Sequence, residues 1–153
     1  MADKSRPFVV LADTREQRIP PFPDGVKVER QMMEEGDYST PSLINVARIE
    51  RKSTNDFASS LTWQRERFDR EIVRLKAYRH ASIVVEADLS EVYRLSHVHP
   101  HAILGSIASF YARANVATFS AVNAAGCGRL IAGILRRLDE EQAGRTDEKA
   151  AAV

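Results

Sequence analysis

Short apolar runs recur along the chain and predict the strands of a sheet. Residues 8–12 are apolar and rich in β-branched side chains, which is typical of a buried strand. In residues 26–30, valines alternate with polar residues, as in a strand that is exposed on one face. Further apolar runs predict strands over 44–52, 83–85 and 116–122.

Helical spacing of apolar residues separates most of these strands. Phe68, Ile72 and Leu75 recur at i, i+4 and i+7, which is the period of an amphipathic helix. Ser53 or Thr54 is suited to cap an earlier helix. Helices are predicted over 53–61, 65–78, 101–114 and 129–140. Strands that alternate with helices favour an α/β fold with a central mixed β-sheet flanked by α-helices.

Length and composition fit one domain. The chain has 153 residues, of which 44% are hydrophobic, and this suffices for a core. We predict a domain over 1–142 and a flexible, small and polar C-terminal tail over 143–153. The single cysteine, Cys127, excludes an internal disulfide and a cysteine-based zinc site. The N-terminal apolar run is too short for a signal peptide, and no stretch predicts a membrane span, so we expect a cytoplasmic protein.

The net charge of +1, from 22 basic and 21 acidic residues, does not indicate nucleic-acid binding through overall charge. Basic residues are nevertheless concentrated in the predicted helix 65–78. They could bind a DNA backbone, or they could pair with acids one helical turn away on a solvated face. The candidates are Arg65, Arg67, Arg70 and Arg74.

Acidic residues are expected to meet at one edge of the predicted sheet. Asp13 ends the first strand, Glu50 lies near the end of a later strand, and Asp37 lies in a turn from which it can reach the same edge. Lys52 is two residues beyond Glu50, so both side chains point to one face of an extended strand. Carboxylates that converge with a lysine suit Mg²⁺ or Mn²⁺ and phosphodiester chemistry.

These residues resemble the motif of a nuclease family. Gly36-Asp37, a spacer, Glu50-Arg51-Lys52, three residues and Asp56 match the GD…ERKxxxD signature of XPF-type structure-specific endonucleases, a branch of the restriction-endonuclease-like superfamily. Residues 12–16 resemble the family's first motif, a strand that ends in D-x-R-E. The resemblance covers roughly residues 8–142 in order.

The resemblance implies a single restriction-endonuclease-like domain that cleaves branched, flap or fork DNA with Mg²⁺ or Mn²⁺. The catalytic residues would be Asp13, Asp37, Glu50 and Lys52, with the three acids as metal ligands. The supporting residues would be Arg15, Glu16, Arg51 and Asp56.

Several alternatives stay open. Arg51 should point away from Glu50, either towards DNA or to an acidic partner, and Asp56 is as well suited to a structural role as to a catalytic one. The chain could instead be a catalytically weak or silent DNA-binding or scaffolding subunit, or a nuclease of the same fold that acts on RNA or on DNA ends. A partner protein could supply substrate specificity.

A homodimer is also expected, with the later half of the chain as its interface. Residues 102–122 are apolar over much of the helix surface, and the last helix carries a second apolar stripe. The resemblance implies the same, because these nuclease domains pair through their C-terminal helices. The two stripes comprise Ile103, Ile107, Phe110 and Tyr111, and Ile131, Ile134, Leu135 and Leu138.

Overall fold

A computed structural model describes residues 6–153, so the first five residues of the predicted 1–142 domain lie outside the described residues. The strands are β1 (Phe8–Ala12), β2 (Val26–Arg30), β3 (Tyr38–Ser39), β4 (Ala47–Lys52), β5 (His80–Val85) and β6 (Val116–Ser120). The helices are α1 (Thr54–Ser60), α2 (Arg65–Leu75), α3 (Leu89–Ser96), α4 (Pro100–Ala114) and α5 (Ala124–Ala151).

The strands form one mixed sheet in the order β2-β1-β3-β4-β5-β6. β1 is parallel to β2 and antiparallel to β3, and β3 is antiparallel to β4. β5 lies between β4 and β6 and is parallel to both. This confirms the predicted α/β class with a central mixed sheet flanked by helices.

Helices cover both faces of the sheet because successive strand residues point to opposite sides. In β5, Ile83 and Val85 pack with apolar residues of α1 to α4, whereas Val84 packs with Ile131 and Leu135 of α5. Two separate apolar cores therefore lie above and below the sheet.

Several predicted elements have different bounds in the structure. The strand predicted over 44–52 begins only at Ala47, since residues 41–46 form turns. The two-residue β3 and the helix α3 were not predicted. The strand before Asp37, β2, pairs with β1 and not with β4. The turn that contains Asp37 therefore does not join two paired strands. Asp37 instead leads directly into β3.

The C-terminal segment 143–153, predicted as a flexible tail, belongs largely to α5, which continues to Ala151. Alanine, glutamate, arginine and lysine are frequent in its last part, and these residues favour helix even without packing. Residues 143–151 are exposed, so they extend the helix beyond the core without contributing to it.

Half of the residues in the apolar stripes used to predict a dimer are buried within the monomer. Ile103 and Phe110 lie under one face of the sheet, and Ile131 and Leu135 lie under the other. The burial of these four residues does not require a dimer, because two helices on opposite faces each have their own layer to cover. The homodimer stays a prediction. The large apolar residues that stay exposed between residues 102 and 140 are Leu104, Tyr111, Phe119 and Val122.

Two glycines fix loops that support the sheet. Gly36 has a φ of +75°, which L-residues with a Cβ rarely adopt, and it places Asp37 directly before the start of β3. In α5, a Cβ on Gly128 would lie 2.0 Å from the carbonyl oxygen of Pro21, so the proline-rich loop contacts the helix directly.

Across residues 6–153, the structure shows no helix with the length and hydrophobicity needed to span a bilayer.

Candidate active site

Three acidic residues form a row across three neighbouring strands. Ala12 pairs with Tyr38, and Tyr38 pairs with Ile49, so the next positions in register are Asp13, Asp37 and Glu50. Their order is reinforced by backbone hydrogen bonds, because Asp13 N donates to Asp37 O and Asp37 N donates to Ile49 O, each at 2.8 Å. Directly opposed residues on one sheet face have Cβ atoms roughly 5 Å apart. The structure thus brings the three predicted acids together.

The row opens into a cleft of about 370 Å³ between the sheet edge and α2. Seven acidic and three basic residues line this main cleft, together with Gly36 and Leu75. The charged residues are Asp13, Glu16, Glu34, Glu35, Asp37, Glu50 and Glu71, and Arg15, Arg67 and Arg74. The acids outnumber the bases, so the cleft favours cations.

Asp13 is held as an anion. It is 2% exposed, and its two carboxylate oxygens accept hydrogen bonds from Met33 N at 2.9 Å and Arg15 Nε at 2.7 Å. Burial alone would raise the pKa of Asp13, but the Met33 amide and the Arg15 guanidinium outweigh it and lower the pKa below the ordinary value. The predicted supporting role of Arg15 matches this contact, and Arg15 also donates to Met33 O.

Asp37 and Glu50 resist ionisation in the absence of a cation. Burial raises the pKa of Asp37, and the charges of Glu50 and Glu16 raise it further. Burial also raises the pKa of Glu50, which Lys52 offsets only in part. One oxygen of Asp37 accepts a hydrogen bond from Arg51 N at 2.7 Å, which orients the carboxylate. Two neighbouring carboxylates with raised pKa values are the groups that a bound cation would stabilise most.

Lys52 joins the acidic row to a second cleft of about 260 Å³. Its Nζ lies 3.5 Å from Glu50 Oε1 and 3.9 Å from Glu71 Oε2, and 4.8 Å from the ring centre of Phe68. These contacts confirm that Lys52 and Glu50 share one face. The second cleft is lined by Lys52, Asp56, Ser60, Gln64, Arg67, Phe68 and Glu71.

Arg51 points to the other face of β4, where it pairs with two acids. Its guanidinium contacts Glu16 Oε1 at 3.1 Å and also binds Glu86. The three side chains are only 10%, 11% and 19% exposed respectively. The structure therefore favours the acidic partner over DNA for the Arg51 side chain, and it places Glu16 beside Arg51, while the supporting role of Glu16 stays a prediction.

Asp56 lies in the first turn of α1, whose N-cap is Ser53, as predicted. The Asp56 amide donates to Ser53 Oγ at 3.2 Å, while the residue itself is exposed and lines the second cleft with Lys52. The structure places Asp56 beside the lysine and outside the row of three acids.

The four predicted DNA-binding arginines have different environments. Arg65 donates to Asp69 Oδ1 at 2.9 Å and to Ser106 Oγ at 2.8 Å, so it ties α2 to α4. Arg67, 71% exposed, lines both clefts, and Arg74 lines the main cleft with its Nε 3.2 Å from Glu35 Oε1. Arg70 is exposed. Only Arg67 and Arg74 therefore have a position on the cleft itself.

Glu71, Glu35 and Glu86 belong to this site although the sequence did not single them out as site residues. Glu71 follows Arg67 by one helical turn, so the helical period places both on the face of α2 that meets the cleft. Glu86 directly follows β5, whose end lies beside the end of β4 because the two strands are parallel. These two signals were present in the sequence, whereas the position of Glu35 depends on a loop.

The row suits a hard divalent cation that keeps part of its water shell. Across residues 6–153, no three acidic, histidine or cysteine side chains are arranged to hold a metal ion by themselves. Mg²⁺ typically binds through one or two carboxylates and retains several waters. Asp37 and Glu50 offer two such carboxylates, while both oxygens of Asp13 already accept hydrogen bonds.

The mixed sheet, the helices on both faces and the acid–lysine cleft at the sheet edge define a restriction-endonuclease-like α/β domain. The chain belongs to the ERCC4 domain family, whose sequence model matches residues 12–134.

Solved structures that share this fold include two of an XPF protein. The structure of XPF from Aeropyrum pernix has a TM-score of 0.70 and 25% identity, over 83% of this chain and 64% of that chain. XPF from Aeropyrum pernix in complex with DNA has a TM-score of 0.69 and 26% identity, over 90% of this chain and 66% of that chain. This chain thus spans slightly less than two thirds of each of them. No curated protein sequence matches it.

Proposed function

We propose that the chain is a metal-dependent DNA endonuclease that hydrolyses phosphodiester bonds at branched, flap or fork structures. The observation that carries the proposal is the row of Asp13, Asp37 and Glu50 in one cleft, with Lys52 beside it. Membership of the ERCC4 domain family and the similarity to a protein solved with DNA support the same activity.

Asp37 and Glu50 would hold a Mg²⁺ or Mn²⁺ ion, and Asp13 would be a further ligand or position a water. When bound, such an ion polarises a phosphodiester and lowers the pKa of a coordinated water. Lys52, held at the row by Glu50 and Glu71, would stabilise the negative charge that develops on the phosphate oxygens. The Arg51 pairs with Glu16 and Glu86 would keep the end of β4 rigid from the opposite face.

Arg67 and Arg74 would contact the DNA backbone beside the acidic row. Both line the main cleft, and both are at least half exposed. The Nε of each is paired to a glutamate, at 3.5 Å and 3.2 Å respectively, and a guanidinium carries further N–H donors that would serve a phosphate. Arg65 would act indirectly by fixing α2 on α4.

We further propose that a second copy of the chain pairs with the exposed apolar surface of the later half. A groove of about 210 Å³ there is lined by Tyr111, Phe119, Ile134 and Leu138 among other residues. Tyr111 is 61% and Phe119 40% exposed, which is unfavourable for large apolar side chains unless they are covered. Light scattering tests this: a 17.1 kDa particle that cleaves DNA would contradict the dimer.

The activity is tested by incubating the chain with end-labelled duplex, flap, fork, single-stranded DNA and RNA, each with Mg²⁺ and with Mn²⁺. We expect metal-dependent cleavage of the branched DNAs. Preferred cleavage of RNA, or degradation from DNA ends, would favour a different nuclease, and binding without cleavage would favour a scaffolding subunit.

A further inference from the structure

The only tryptophan of the chain, Trp63, is strongly exposed. Trp63 is 78% exposed and lies in the short connection between α1 and α2. The connection is well ordered by hydrogen bonds, because Gln64 N donates to Ser59 O and Thr62 Oγ1 donates to Ala58 O, each at 3.0 Å. A large ring is thus presented to solvent from a fixed turn.

This turn borders the clefts of the candidate active site. Gln64, the neighbour of Trp63, lines the second cleft together with Lys52 and Asp56. One helical turn further, Arg67 lines both clefts. A nucleic-acid strand whose phosphate reached Lys52 and Arg67 would therefore place a neighbouring nucleotide near the indole ring.

The surroundings of Trp63 suit a nucleobase better than an apolar protein surface. The exposed residues that follow and precede it in the chain, Thr62, Glu66 and Arg67, are polar or charged. A nucleobase has the matching composition, with a π face that stacks on an aromatic ring and polar edges that remain solvated.

We propose that Trp63 stacks on an unpaired nucleobase of the substrate and so contributes to the recognition of branched DNA. In an uninterrupted duplex both faces of every internal base are covered by neighbouring bases, so only an unpaired or terminal base offers a free face. This inference rests on the proposed function, since it assigns a specificity residue to the same site.

The fluorescence of Trp63 gives a direct test, because no other tryptophan contributes. Glu50→Gln protein is titrated with two DNAs of equal length, an uninterrupted duplex and a flap with a single-stranded arm. We expect the flap to quench the fluorescence more strongly than the duplex at equal occupancy. The affinities of Trp63→Ala and Trp63→Phe for both DNAs are measured in parallel by the anisotropy of a labelled strand. Val73→Ala is the control, because Val73 is an exposed apolar residue on α2 that lines neither cleft.

Trp63→Ala should weaken flap binding roughly tenfold, as expected for the loss of one base–aromatic stack, and leave duplex binding nearly unchanged. Trp63→Phe should retain most of the flap affinity, and Val73→Ala all of it. Equal losses for flap and duplex, or unchanged fluorescence on a flap that binds, would overturn the proposal. Cleavage by the wild type reports separately on the nuclease activity, so that either claim can fail while the other stands.

Discussion

The acidic row should make the metal-free protein less stable as the pH rises. Asp37 and Glu50 have pKa values raised to about 8 and about 7 in the folded chain, from ordinary values of 3.8 and 4.5. The folded state therefore binds these protons more tightly than the unfolded state does. Ionising the two carboxyls in the folded chain therefore carries a free-energy penalty that lowers its stability. This penalty is absent below about pH 4, grows as the pH rises from the unfolded to the folded pKa values, and is complete above about pH 8.

Asp37→Asn should remove much of this penalty and stabilise the metal-free chain. If it counted in full, the rise of about four in the pKa of Asp37 would correspond to a destabilisation of roughly 5 kcal/mol. Asp37 is partly exposed and shares one repulsion with Glu50, so we expect about 2 kcal/mol, or a rise in Tm of roughly 4–8 °C at about pH 9. The asparagine can still accept the hydrogen bond from Arg51 N, so the local geometry should be kept.

Thermal unfolding in the presence of a chelator measures this effect at about pH 9 and about pH 5. The stabilisation should be complete at the higher pH and fall to roughly a third of that value at the lower one. Asp147→Asn, the same chemical change on the exposed part of α5, should have little effect at either pH. Added Mg²⁺ should stabilise the wild type more than Asp37→Asn. An equal effect of Asp37→Asn at both pH values, or destabilisation at the higher one, would refute the reasoning.

Three further substitutions test individual contacts. Lys52→Ala should lower the single-turnover cleavage rate by about 10² or more with little change in DNA affinity; loss of affinity at an unchanged rate would make Lys52 a phosphate anchor only. Arg51→Met leaves two nearly buried carboxylates without their cation and should reduce the unfolding free energy measured in urea by about 3 kcal/mol, whereas Arg70→Met on the exposed surface should change it little. Arg67→Gln should weaken DNA binding and reduce the slope of log K against log salt by about 1; an unchanged slope would show that Arg67 does not contact phosphate.

Strong periodicity in the sequence predicted the elements that carry the site. The apolar run of β1 and the helical spacing in α2 gave elements of the right type at nearly the right bounds, and the two-residue period of strands placed Arg51 opposite Glu50 and Lys52. The strand β3 was missed because two residues cannot show a period. Helix α3 was missed although Asp88 carries a cap signal, its side chain accepting a hydrogen bond from Ser90 N.

Contacts between distant elements were the less predictable part of the site. The convergence of Asp13, Asp37 and Glu50 followed from the ends of strands, and the structure confirms it. The position of Glu35 in the cleft depends on a loop. The helical period places Glu71 on one face with Arg67, but no local pattern encodes how α2 lies across the sheet. The same limit explains the apolar stripes of α4 and α5, because the sequence does not show that they cover opposite faces of one sheet.

Single-turnover cleavage of a labelled flap DNA, with and without divalent cations, tests the central claim most directly. The wild type should cut with Mg²⁺ or Mn²⁺ and not with a chelator. Asp37→Asn and Glu50→Gln should each abolish cutting while they leave DNA affinity largely intact. Cutting in the chelator, or near-normal cutting by either variant, would contradict the assignment of this acidic row as the metal-dependent catalytic site.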